Sequence, residues 1–333
     1  MIIEKSLLNQ TNKNNNFNFD FINYSLELIR ENVSTTNLLI MQESIGIKNL
    51  SIENILISIV NGIIKVLKMI LGKFLELLIK IASMGKSFEL EIRAYKKKIE
   101  NYNGSIKFED SYKYTNIYGD EYENYPSPKL VELLIDDIND MISRVKDAYG
   151  SNKSFKEIQY KALSIKPDID REIRVFRRKL LGETNNFAEE MSDEIFNLKC
   201  FKLFRNNQEN PGTVEYKGKE IYNKIYLPYI EQRKSIDRIK KDNARIQRDI
   251  ERSKSLVKDL NFDFSKFSDS EQQTLLQSLA EMQTTLCTIY EKKCKDIVTM
   301  YTNKLQAYKD FTIYSRSWLV KVMQQITYQG VVQ

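Results

Sequence analysis

From Ser51 onward, polar residues recur at Asn54, Ser58, Asn61, Lys65, Lys68, Gly72, Glu76 and Lys80, three or four positions apart. Nearly every position between them is Ile, Leu, Val, Met or Phe. That spacing draws a narrow polar stripe on a helix whose remaining surface is apolar. The apolar arc runs through Ile59, Ile63, Leu67, Ile70, Phe74 and Leu78, and Lys65, Lys68 and Lys73 dot its margin. A break is expected at Gly85, after which FELEIRAYKKKIENY continues as an ordinary amphipathic helix closed by Asn103-Gly104.

The pattern then changes period. SIKFED and SYKYTNIY, between Ser105 and Tyr125, alternate Tyr, Phe and Ile with polar residues and predict a small hairpin or a Tyr-rich insert. Ser127-Pro128 predicts a helix start and Gly150 its end, with Val131, Leu134, Ile138, Met141, Val145 and Tyr149 on the apolar face. Another helix is expected from Pro167 to Gly182, with Ile169, Ile173, Phe176 and Leu180 on one side and Arg171, Arg174 and Arg178 on another. NNQENPGTVEYKGK, residues 206–219, reads as a loop. Ile236, Ile239, Asn243, Ile246, Ile250, Ser253, Val257 and Leu260 follow the alternating three-four spacing of a coiled-coil seam. Ser268 and Glu271 form a capping box that opens a helix toward Lys309. Trp318 and Leu319 belong to a further apolar segment.

Together these elements predict an all-α protein of long amphipathic helices, with a C-terminal antiparallel helical hairpin and one minor β element. The expected organisation is a polar N-terminal arm with a short helix at Phe21–Arg30 (1–50), and a hydrophobic helix with its basic continuation (51–102). A helical domain with the Tyr-rich β element (103–210) and the coiled-coil-like hairpin (211–333) follow.

The opening helix fits poorly as a membrane span, because no window of 18 residues in it is free of charge. Each central lysine would cost about 2.5–3.5 kcal/mol in a bilayer. Two readings remain. Either the helix is covered by its own chain or by other subunits, or it lies as a cationic helix in a membrane interface.

Composition narrows the chemistry. The chain of 333 residues holds no histidine, which removes Ser-His-Asp and Cys-His nucleophiles and imidazole bases. Its three cysteines, Cys200, Cys287 and Cys294, suit a reducing compartment. Residues 1–10 lack the basic and apolar blocks of a signal peptide. The formal charge of +6 is uneven, with an acidic block at 103–150 between basic ones. Gly85-Lys86-Ser87 is no phosphate loop: Lys80 stands where the first Gly belongs, and a helix leads in. The acidic line Glu132, Asp136 and Asp140, beside Asp137, reads as a solvated helix face rather than a metal site. The arginines of 171–178 read as partners of the acidic block rather than as a phosphate site. No catalytic residue, cofactor, metal or small-molecule substrate is expected.

The layout also resembles a known group. An entry at Glu43-Ser44-Ile45-Gly46, a Lys-studded Ile/Leu helix, KKKIENY, FEDSYKYTNIY and then capped helices resemble virion structural proteins of large tailed bacteriophages of AT-rich hosts. The resemblance implies a non-enzymatic virion component, packaged in or near the head and lying in the host cytoplasm before assembly. It implies other virion proteins or copies of itself as partners, and processing after Met41-Gln42-Glu43, a motif that Ile29-Arg30-Glu31 and Leu130-Val131-Glu132 match as well. The arc of residues 55–81, with its three lysines, would then dock to subunits or meet a membrane surface. Nucleic acid is not expected as a specific partner. The other class of reading is a membrane-active, pore-forming-type helical toxin.

Overall fold

The computed structural model describes residues 52–83, 86–110, 129–149, 153–165, 167–183, 190–204, 212–257 and 266–332. The expected arm at 1–50, the break at Gly85 and the segment SYKYTNIY lie outside them. Of the described residues 87% are helical, with a two-stranded sheet as the minor β element. The all-α class read from periodicity is therefore the observed one.

The helices are α1 (Ile52–Ser83), α2 (Lys86–Ala94), α3 (Lys96–Glu100), α4 (Leu130–Ala148), α5 (Phe155–Ile165), α6 (Ile169–Leu181), α7 (Asp193–Phe204), α8 (Leu227–Val257) and α9 (Asp269–Val332). Strands β1 (Ser105–Asp110) and β2 (Gly212–Lys217) pair antiparallel, with Ile106 opposite Tyr216. The chain divides into two compact units, each assembled from non-consecutive segments. One unit takes residues 1–72, 128–196 and 243–300; the other takes 73–127, 197–242 and 301–333.

Local chemistry explains most boundaries. Asp168 caps α6 by accepting from the Arg171 amide, and Gly182 ends it at φ 71°, a left-handed turn that favours glycine. Ser268 and Glu271 close a reciprocal capping box on α9, as the sequence predicts, and Ser154 with Glu157 does the same on α5. Gly218, at φ 43°, turns β2 into a three-residue helix, Lys219–Ile221. A Cβ there would stand 2.9 Å from the Tyr102 carbonyl oxygen.

Several expectations need correction. The stretch 206–219 is not all loop, because Gly212–Lys217 is a strand whose partner is β1, far back in the chain. Thr-Val-Glu-Tyr-Lys carries the period-two signal, but the flanking Asn-Pro-Gly dominates a local reading. The helix beyond Ser268 does not stop near Lys309; α9 runs unbroken for 64 residues through Trp318. The segment after Lys86 is interrupted at Tyr95. Helix α4 begins at Leu130, with Lys129 in the cap position and no side-chain bond there. Helices α5 and α7 lie where no element was expected, and a π-helical turn, Tyr222–Tyr226, leads into α8.

In the second unit an aromatic core gathers Phe88, Phe108, Tyr216, Tyr229, Trp318 and Leu319. The Phe108 and Trp318 rings stack at 4.7 Å. The early part of α8 thus shares a core with the late part of α9, as an antiparallel hairpin requires.

Candidate functional site

The lysine-dotted helix is the first candidate, and its arc is buried. Leu67, Phe74 and Leu78 are each 0% exposed, and Ile63 and Ile70 are buried with them. The Ile59 side chain lies outside the described set. Phe74 stacks on Tyr301 of α9 at 4.2 Å between ring centres. Burying such side chains is worth on the order of 10 kcal/mol gross. The polar margin faces outward: Lys65 is exposed, Lys68 pairs with Glu251 of α8, and Lys73 pairs with Glu76 one turn on at 3.0 Å. Among the described residues, no helix is long and apolar enough to cross a membrane.

The second candidate is a set of buried charges in the first unit. Arg177 of α6 is 4% exposed. Its guanidinium donates to both oxygens of Asp296 on α9, at 2.8 and 3.0 Å, to the Met191 carbonyl at 2.9 Å, and to Asp193 at the start of α7. The Phe196 ring lies 5.1 Å from the same guanidinium. One turn before Asp296, Lys293 is 1% exposed and donates to Asp137 of α4 at 2.6 Å, with Glu172 of α6 at 3.5 Å. The Tyr290 hydroxyl donates to the Asp137 carbonyl at 3.2 Å. Four helices are tied by two cations that each hold two carboxylates.

The electrostatics follow this geometry. Burial pushes the Asp296 carboxyl above its ordinary range, against the pull of Arg177. The hydrogen bond from Arg177 holds Asp193 below that range. Burial raises the Cys287 thiol to about 11 and the Cys294 thiol to about 12. Between α4, α6 and α9 a small cleft of about 40 Å³ is lined by Asp137, Met141, Arg144, Glu172, Tyr290 and Lys293. That is room for a few waters at most.

Of the acidic line on α4, Glu132 pairs with Arg245 of α8 and Asp137 with Lys293, while Asp136 and Asp140 are exposed. The arginines singled out on α6 divide: Arg171 is exposed, Arg174 half-buried and Arg178 buried. Arg177, which is buried beside Arg178 and pairs with Asp296, was not among them, although it sits four residues from Ile173 on the apolar side. Lys293 was legible in the same way. It interrupts the stripe Leu286, Tyr290, Ile297 and Met300 at a position that predicts a buried side chain. Comparison with protein families, characterised proteins and solved structures finds no match to this chain.

Proposed function

We propose that this chain is a non-enzymatic structural and interaction protein, a component of a phage virion packaged in or near the head. Its helices do the work, and α1 serves as the internal spine. The observation that carries this reading is the covering of the α1 arc by the chain itself. A segment that docked permanently to other subunits or to lipid would keep Leu67, Phe74 and Leu78 outward. Here they hold the fold together, which leaves the charged outer faces for partners, other virion proteins or further copies. The layout of the sequence supports the virion assignment. Mass spectrometry of purified virions from the source is expected to find this chain, with a processed N-terminus if the Glu43 motif is cut. Its absence from virions would overturn the assignment.

A membrane-active role is the second reading, favoured by one feature. The most apolar helix of the described chain is sheathed and bordered by lysines, an arrangement a membrane-inserting protein needs before release. Dye leakage from anionic liposomes would support it, and leakage unchanged by Leu67→Glu with Phe74→Glu would remove it.

A further inference from the structure

Helix α8 carries a row of cations that the fold leaves outward. Lys234, Arg238, Lys241, Arg245, Arg248 and Arg252 are all exposed and follow one another at four- and three-residue steps. At 100° per residue the six lie within about 40° of a single line, over about 27 Å of helix. Within that span the nearest acids on the same helix, Asp237 and Asp249, fall about 60° from that line, on either side of it. The opposite face is buried through Ile239, Ile246, Ile250 and Ser253. The whole chain has a formal charge of +6; this single ridge holds six cations.

Two of the six are engaged within the fold. Arg245 pairs with Glu132, and Arg252 stands 3.6 Å from Asp249. Lys234, Arg238, Lys241 and Arg248 form no ion pair with any described residue. Like charges three and four residues apart oppose helix formation, so the row does not serve the stability of α8. A line of anions laid along it would relieve that repulsion.

We infer that this ridge is a docking surface for the phosphate backbone of a nucleic acid, held without regard to base sequence. Four of the six residues are arginines, whose forked guanidinium matches phosphate geometry. Cations in a row neutralise successive phosphates and release their counterions. An anionic membrane is the poorer fit, because interfacial helices set large apolar side chains beside their cations. Here the flanks are Asp237, Asp242, Ala244 and Asp249, and the exposed Leu256 stands beyond the end of the row. The inference rests on α8 alone and is independent of any place in a virion.

The test is fluorescence anisotropy of the full chain with a labelled 20-base-pair DNA duplex of arbitrary sequence, across a series of salt concentrations. Anionic phospholipid vesicles form the parallel arm. Affinity is expected to fall with salt at a log–log slope of about −4 to −5, with little change between duplex sequences. The variant Arg238→Gln/Lys241→Gln/Arg248→Gln should lower affinity ten-fold or more and reduce that slope by about 3. These side chains are exposed and form no ion pair with a described residue, so circular dichroism should show the fold intact. A wild-type chain that fails to bind DNA at low salt, a variant with unchanged affinity and slope, or binding confined to the vesicles would each overturn the inference.

Discussion

At the scale of single residues, the buried charges make the sharpest predictions. Removing Asp296 leaves Arg177 buried with the Met191 carbonyl and a single, exposed carboxylate, Asp193, whose side chain is 62% accessible. Asp296→Ala is expected to cost about 3–5 kcal/mol in denaturant unfolding, whereas Asp193→Ala should cost about 1 kcal/mol or less. Equal losses would contradict the geometry. Asn243 offers the opposite case. Its side-chain oxygen is buried with no hydrogen-bond partner among the described residues. Asn243→Leu should therefore stabilise the chain by about 1–2 kcal/mol; a loss of stability would show that the amide is satisfied. The capping glutamates set an acid limb. Glu271 and Glu157 are held below their ordinary range by bonds from Ser268 and Ser154. A depressed carboxyl contributes stability above its ordinary value and loses it as pH falls through and below that value. Glu271→Gln with Glu157→Gln should thus weaken the fold at neutral pH and flatten its decline between about pH 5 and pH 3, read from thermal melts across that range. The raised carboxyl of Asp296 has the opposite sign, contributing less as pH rises through its own value.

At the scale of elements, what was legible depended on whether the signal was local. The apolar stripe of α1 and the Ser268–Glu271 box are written within a few turns of chain, and both stand where the pattern puts them. The box Ser154–Glu157 carries the same local signature, yet α5 is short and leaves Tyr160 and Leu163 exposed, so its stripe is faint. The β1–β2 pair could not be read, because residues 105 and 217 meet only after the intervening helices are in place. The unbroken run of α9 past Lys309 was also hidden. Lys309, Thr312 and Ser315 look like the end of a helix in sequence, but all three are buried within it. The buried network was half legible, since Arg177 and Lys293 fall on apolar stripes while their carboxylate partners lie far away in the chain. Element-scale burial predicts thiol behaviour too. Cys287 and Cys294, buried on α9 with thiols raised to about 11 and 12, should react slowly with a disulfide reagent at pH 8 and fast in denaturant. Rapid labelling of the native chain would contradict that burial.

At the scale of the whole molecule, one choice orders the rest. The apolar arc of α1 is buried, with Phe74 against Tyr301 of α9, while Lys65 on its polar margin is exposed. Replacing Phe74 with Ala should cost about 3–5 kcal/mol, because the ring is fully buried and stacked on Tyr301. The most direct check on the buried spine is side-chain accessibility along α1 itself. Lys65→Cys and Leu67→Cys, two residues apart on opposite sides of the helix, are each treated with a maleimide and the labelled site is read by peptide mass spectrometry. The account predicts that position 65 reacts freely while position 67 reacts at least about 100-fold more slowly, in line with local opening. Comparable rates at the two positions would contradict it.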